Sequence, residues 1–387
     1  MKFPKKLQQK LLVRKEHQAL RFLSKHNNLI DFSSNDYLGF AKSEYIFHQT
    51  HQLLIDKNTK NNGATGSRLL SGNHSFYESV ESYLCDFHNA ESSLIFNSGY
   101  DANIGFFSSI PQRGDIILYD ELIHASIRDG IRLSNAKSYK FKHNDLKDLE
   151  NKITSFSSVL KEGEKEIYVV TEAVFSMDGD LPNLTKMTAL CNKNNVHLIV
   201  DEAHSLGVFG NNGCGLVQAL NLEKDIFARI ITFGKALGCH GAVIVGCKKL
   251  KQYLINFARS FIYTTGLSPH SLATIFIAYK ELNSKNGLKK QALLKNNITH
   301  FKEEVNRFAP AFTFIQSTSA IQCCIIPGNE KVKEIAKNIA LKGYHVKPIL
   351  SPTVRAKQER LRFCLHSYNS KEEITDVLEI LTTFASV

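Results

Sequence analysis

Residues 196–204, VHLIVDEAH, and residues 228–242, ARIITFGKALGCHGA, decide how this chain folds. Each begins as a short run of β-branched and apolar residues and breaks off in polar groups, Asp201 and His204 in the first, Thr232 and Lys235 in the second. Runs of that length and composition predict buried strands. Outward from them the pattern recurs in SSLIFNSG (92–99), DIILYD (115–120), KSYKFKH (137–143), EIYVVTEAVF (166–175) and GAVIVG (241–246), with helical stretches between. Strands alternating with helices predict βαβ units and an α/β fold built on a mostly parallel sheet. Ligands of such sheets lie at the carboxyl ends of the strands, where Asn97, Ser98, Gly99, Asp120, Glu172, Ser176, Asp201, His204, Thr232 and Lys235 stand in this sequence.

Beyond about residue 270, helical stretches alternate with the short strand candidates FTFIQS, AIQCCIIP, HVKPIL and RLRFCLH, which predicts a smaller α+β domain with an antiparallel sheet. The expected division is an N-terminal helical segment (1–45), a large domain (46–275) and a small C-terminal domain (276–387). In the first segment Leu7, Leu11, Leu12, Leu20 and Leu23 recur at helical spacing, predicting a helix that packs on the body. Arg14, Lys15, Glu16 and His17 interrupt that start before a signal-peptide core forms, and no run reaches the ~18 apolar residues of a membrane span, so a cytoplasmic, membrane-free protein is expected. The eight cysteines include no C-x-x-C pair and no zinc-ligand spacing, which predicts reduced thiols and no metal. The net charge of +11 comes from scattered lysines and arginines, not from one basic tract, so nucleic acid is not an expected partner.

The sequence DEAH at 201–204 invites comparison with nucleotide triphosphatases, but their phosphate loop, G-x-x-x-x-G-K-[ST], is missing. Gly234-Lys235 is followed by Ala236, and Arg229 stands where the first glycine is required. The same residues suit pyridoxal phosphate. A lysine between Gly234 and Gly238 forms the Schiff base, a buried aspartate 34 residues earlier keeps the pyridine nitrogen protonated, and small residues let the backbone approach the cofactor. His124, in DELIHASIRDG, follows a strand and is a candidate to lie on the cofactor's face. Asn97-Ser98-Gly99-Tyr100 opens a helix whose N–H groups suit a phosphate dianion.

Together DFSSNDYLGF (31–40), SGYDAN (98–103), DELIHASIRDG (120–130), VTEAVFSMDGD (170–180), VDEAHSLGVFG (200–210), ITFGKALGCHGA (231–242), FIYTTGLSP (261–269) and SPTVRAKQERLRFCL (351–365) resemble the α-oxoamine synthases, fold-type-I pyridoxal phosphate enzymes, over nearly the whole chain. The resemblance implies a three-layer transferase fold. It also implies roles: Lys235 as the Schiff-base lysine, Asp201 as partner of the pyridine nitrogen, His204 as donor to the phenolic oxygen and His124 as the stacking ring. Gly99 and Tyr100 match the backbone phosphate site, and Ser176 and Thr232 match cofactor-contacting hydroxyls. Arg362 matches the arginine for the amino-acid carboxylate, while Thr353 and Arg21 match substrate-contacting positions. Thr264 or Thr265 matches a segment that reaches the phosphate from a partner subunit, implying a homodimer. The substrates implied are L-alanine and a pimeloyl thioester, carried on CoA or acyl carrier protein. The alternative is a sister synthase taking glycine with acetyl-CoA or succinyl-CoA, or serine with a long acyl thioester. His240 has no counterpart in this pattern.

Overall fold

The computed structural model describes residues 3–17, 19–21, 23, 28–157, 165–308 and 312–384. The chain begins with helix α1 (Lys5–Glu16) and the three-residue strand β1 (Ile30–Phe32). The larger of two compact units comprises residues 35–176 and 181–293. It opens with helices α2 (Glu44–Asp56) and α3 (Ser75–Phe87). A strand–helix succession follows: β2 (Ser92–Phe96), α4 (Gly99–Ser109), β3 (Ile116–Asp120), α5 (Ala125–Leu133), β4 (Lys137–Phe141), α6 (Leu146–Ser157), β5 (Ile167–Glu172), α7 (Leu184–Lys193) and β6 (His197–Asp201). The short helix α8 (Leu216–Ala219), strands β7 (Ala228–Thr232) and β8 (Ala242–Gly246), and helices α9 (Lys248–Phe257), α10 (Arg259–Ile262) and α11 (Pro269–Leu282) complete it. The domain boundary expected after residue 275 falls inside α11.

The seven strands lie in the order β2-β8-β7-β6-β5-β3-β4. From β7 through β4 every pair is parallel, and β8 alone runs against its neighbours. Strands β2, β5 and the end of β6 are buried along their length, as strands covered on both faces must be. Alternation along each strand sends Ile117, Ile199, Ile230 and Ile244 into one core with residues of α4, α5 and α9. Their neighbours Leu118, Leu198 and Val200 enter a second core with residues of α6 and α7. The result is the expected three-layer α/β architecture, each fully buried Leu or Ile contributing about 1.5–3 kcal/mol.

Helices α4 and α5 approach closely because α5 carries Gly130, where a side chain would meet the Asn103 carbonyl and the Phe107 side chain. Gly238 is needed for another reason. Its φ of 60° lies in the left-handed region, a Cβ there would run into the backbone of Ala41, and its N–H donates to the Lys235 carbonyl at 2.8 Å, closing the turn that carries Lys235.

The smaller unit comprises residues up to 34, 177–180 and 294 onward. Helix α12 (Lys285–Phe308) leads into it, followed by β9 (Thr313–Phe314), β10 (Ile321–Ile325), α13 (Asn329–Leu341), β11 (Tyr344–Ile349), β12 (Arg360–Cys364) and α14 (Lys371–Thr382). Its sheet, β1-β11-β12-β10-β9, is antiparallel except that β1 joins β11 in parallel, so the N-terminal segment supplies a strand as well as a helix. Helix α1 ends at Glu16, before Leu20 and Leu23, and none of its residues is buried; the packing expected of its leucines is absent. Among the described residues no helix is long and apolar enough to cross a membrane.

Gly238→Ala is expected to lower stability by about 1–3 kcal/mol through left-handed strain and collision, seen as a fall in Tm. Gly63→Ala, where nothing lies within 4 Å of the added Cβ, is expected to change it by less than about 0.5 kcal/mol.

Candidate active site

At the carboxyl ends of the parallel strands of the larger unit lies a cavity of about 180 Å³. Adjacent strands deliver its acids and hydroxyl: Glu172 ends β5, Asp201 ends β6 directly beside it, and Thr232 ends β7. Helix α4 begins at the rim, with Gly99 and Tyr100 in its first turn. Its N-cap Ser98 accepts the Asp101 N–H at 3.0 Å, so that bond leaves the Gly99 and Tyr100 amides at the exposed positive end of the helix. Gly99 packs against Thr232, 3.4 Å from the position of an added Cβ. Lys235 follows three residues after Thr232 on the glycine turn, half-buried and lining the same cavity.

Asp201 is buried and its two oxygens are separately engaged. Oδ1 accepts the Ala203 N–H at 2.9 Å, and Oδ2 accepts Asn103 Nδ2–H at 3.0 Å. Buried carboxylates are tolerable on such terms, since each donor returns part of the lost hydration. His204 Nδ1 lies 2.7 Å from the hydroxyl of Tyr37, a fully buried side chain of the DFSSNDYLGF stretch. His124 caps α5, its Nδ1 meeting the Ser126 hydroxyl at 2.8 Å and the Ser126 N–H at 3.2 Å. Burial pushes the His124 pKa below its ordinary value; Asp201 opposes that shift and the Lys235 ammonium assists it.

Glu172 accepts the His124 backbone N–H at 2.5 Å. Burial, helped by the neighbouring Asp201 charge, raises its pKa from 4.5 to about 8, with Lys235 working the other way. The sequence marks Glu172 only as a polar strand end; its place in the cavity follows from the register that sets it opposite Asp201. Asn103 and Ser126 also line the cavity, although neither stands out in the sequence beyond lying one helical turn past Gly99 and two residues past His124.

Seven of the eight cofactor positions named from the sequence, Gly99, Tyr100, His124, Asp201, His204, Thr232 and Lys235, line this cavity. Ser176 is buried but is not among the lining residues. Asp120, which also ends a strand, serves a turn, accepting the Leu122 N–H at 2.8 Å and contacting His143 Nδ1 at 2.9 Å. Thr264 and Thr265 are engaged within the chain, Asn97 Nδ2 donating to Thr264 Oγ1 at 3.1 Å and to the Thr265 carbonyl at 2.6 Å. Arg21, Thr353 and Arg362 belong to the smaller unit. There Arg21 and Thr353 are exposed, while Arg362 is buried on β12 with a guanidinium N–H 2.8 Å from Cys364 Sγ.

A lysine amine, a buried carboxylate held by N–H donors, two histidines, a hydroxyl and a helix N-terminus around one cavity form the donor set of a fold-type-I pyridoxal phosphate enzyme. A model of the aminotransferase class I and II family matches residues 27–381, and the chain belongs to that family. It is 40% identical over 380 residues to the 8-amino-7-oxononanoate synthase of Emericella nidulans, an alignment that covers 92% of this chain and 89% of the relative. The crystal structure of 8-amino-7-oxononanoate synthase from Francisella tularensis superposes with a TM-score of 0.77 at 31% identity, covering 93% of this chain and 99% of that one. A high-resolution structure of the serine palmitoyltransferase SPT with PLP gives a TM-score of 0.84 at 27% identity, covering 92% and 87%. The chain is thus a pyridoxal phosphate-dependent enzyme of the acyltransferase kind.

Because the folded protein keeps a proton on Glu172 that the unfolded chain gives up near pH 4.5, this group's stabilisation is complete below that pH and is lost as pH rises to about 8. Glu172→Gln keeps the acceptor for the His124 N–H but does not titrate. Thermal unfolding of cofactor-free protein between about pH 5 and 8 is expected to show a flatter decline for the variant than for the wild type; identical slopes would mean that Glu172 is ionised throughout.

Proposed function

We propose that this enzyme condenses L-alanine with a pimeloyl thioester, on CoA or acyl carrier protein, to give 8-amino-7-oxononanoate, CO2 and free thiol, a step of biotin formation. The observation that carries this reading is the convergence of Lys235, Asp201, His124 and His204 on one cavity in a chain 40% identical to a synthase of that name. Backbone shape does not sort substrates within the family, since the TM-score to SPT exceeds that to the Francisella synthase. Sequence identity, higher for the 8-amino-7-oxononanoate synthases, therefore favours alanine and the pimeloyl chain over serine or glycine with other acyl groups.

Pyridoxal 5'-phosphate, when bound, supplies a conjugated ring that takes up the electron pair left on the amino-acid Cα after deprotonation. Lys235 holds the cofactor covalently at rest. Its released Nζ, lining the same cavity, is the base that removes the α-proton and later returns one. Asp201 holds a proton on the pyridine nitrogen, and the N–H donors on both its oxygens keep it in the acceptor role. His204, set by Tyr37, donates to the phenolic oxygen. The Gly99 and Tyr100 amides and the Thr232 hydroxyl hold the phosphate, with Ser176 as a further hydroxyl. Arg362 holds the alanine carboxylate, and Thr353 and Arg21 contact the substrates. The condensation joins the alanine Cα to the thioester carbonyl carbon, breaks the C–S bond and releases the alanine carboxylate as CO2. A homodimer, with Thr264 or Thr265 reaching the partner's phosphate, completes the reading.

Thiol release with L-alanine and pimeloyl-CoA is expected to exceed that with glycine and acetyl-CoA, or with L-serine and palmitoyl-CoA, by at least about 100-fold in kcat/KM. The reverse order would reassign the substrates and keep the site. Lys235→Ala is expected to lose about 10²–10⁴-fold or more in turnover and the visible absorbance of the bound cofactor, with its circular dichroism unchanged. Wild-type turnover in that variant would remove Lys235 from the chemistry.

A further inference from the structure

Asp201 and His124 are joined by two side chains. Asn103, on α4, donates both protons of its Nδ2, one to Asp201 Oδ2 at 3.0 Å and one to Ser126 Oγ at 3.0 Å. Ser126 Oγ lies 2.8 Å from His124 Nδ1. Asn103 and Ser126 are 2% and 1% exposed, so water does not substitute for these partners. The amide orientation is determined by charge. Turned the other way, Asn103 would press its carbonyl oxygen against a carboxylate oxygen, and the structure leaves Asn103 Oδ1 without a hydrogen-bond partner instead. The close approach of α4 and α5 at Gly130 brings the amide within reach of Ser126.

The direction of the chain of bonds then follows. Because Ser126 Oγ already accepts from Asn103, its own proton is free to point at His124 Nδ1. The Ser126 backbone N–H points there too, at 3.2 Å. A nitrogen that receives two donors carries no proton. We propose that Asn103 and Ser126 are positioning residues that hold His124 as a neutral imidazole protonated on Nε2, coupled through the Asn103 amide to the carboxylate of Asp201. The Asp201 charge orients the amide, the amide N–H biases the Ser126 hydroxyl toward donating, and the Ser126 backbone N–H, which can only donate, marks Nδ1 as the acceptor. His124 thereby presents an N–H donor, not a second cation, beside Lys235. The inference rests on the role proposed above for Asp201 and on the stacking place that the resemblance implies for His124, and it adds the device that sets the state of the imidazole.

The test reads the imidazole directly. The full chain labelled with 15N-histidine, with pyridoxal phosphate removed and then restored, is examined by NMR across a pH titration. His124 faces Asp201, Glu172, Asp129 and Lys235, and these are the same in every variant. In the wild type the expected pattern is an unprotonated Nδ1 and a protonated Nε2, with a pKa below the ordinary histidine value. Asn103→Leu frees the Ser126 hydroxyl to turn and accept from Nδ1–H, so a mixture of tautomers and a pKa higher by about one unit are expected. Ser126→Ala, which removes one small buried hydroxyl, is expected to act in the same direction and serves if Asn103→Leu does not fold. The acidic limb of the kcat/KM profile should move up with the NMR pKa in both. A wild-type His124 protonated on Nδ1, or variants with an unchanged tautomer and pKa, would overturn the proposal. Failure of the alanine and pimeloyl reading would leave the tautomer result standing, since no substrate enters the titration.

Discussion

A carboxylate buried at the end of a parallel strand is the constraint from which the rest of this site is built. Asp201 has lost most of its water, and its cost is met by one donor on each oxygen, the Ala203 amide from its own turn and the Asn103 amide from a helix across the sheet. The second donor obliges α4 to sit close to β6. With α4 in that place its N-terminus arrives at the ends of β2 and β7, and Gly99 packs on Thr232. One hydrogen bond to a buried acid thus ties the proposed phosphate end of the cavity to the proposed pyridine end.

Placing Glu172 beside Asp201 adds a second acid to the same low-dielectric space, and two neighbouring carboxylates there do not both ionise readily. Burial and its neighbour raise Glu172, which therefore serves as a neutral acceptor for the His124 backbone N–H. Asp201, by contrast, has an N–H donor on each of its oxygens. The imidazole is consequently held at both ends: its backbone by Glu172, its Nδ1 by Ser126. Nothing in this arrangement needs a long flexible side chain except Lys235, whose freedom is limited by a turn that only glycine at 238 can close.

The strand ends were legible in the sequence because buried parallel strands read as unbroken apolar runs, and a polar residue that stops such a run has few structural reasons to be there. The three-layer fold and most of the cavity lining followed. Tyr37 and Asn103 were not legible as site residues because each acts through a tertiary contact, Tyr37 with His204 and Asn103 with Asp201, while Ser126 reads in the sequence only as the residue two past His124. Strand β1 escaped because three residues, Ile30–Phe32, carry too little pattern to separate a strand from a loop; its pairing partner is β11, near the other end of the chain. The leucines of α1 misled for a physical reason. Lys5, Lys6, Lys10, Arg14 and Lys15 surround them, and helical spacing alone does not produce a face that the smaller unit buries.

Glu202, the acid next to Asp201 in DEAH, is held on the side away from the cavity. Glu202 is fully buried outside the cavity lining, where its Oε1 accepts the Ser205 hydroxyl at 2.8 Å and the Val217 N–H at 3.0 Å, with the Arg229 guanidinium 3.7 Å from Oε2. Successive residues at a strand end diverge to opposite sides, so the two acids cannot share one ion. They act on one peptide from two directions, Asp201 held toward the cavity by Asn103 and Glu202 held away from it by the segment around α8. A peptide restrained from both sides cannot rotate to relieve the buried charge, and the carboxylate stays where the lysine and the histidines are.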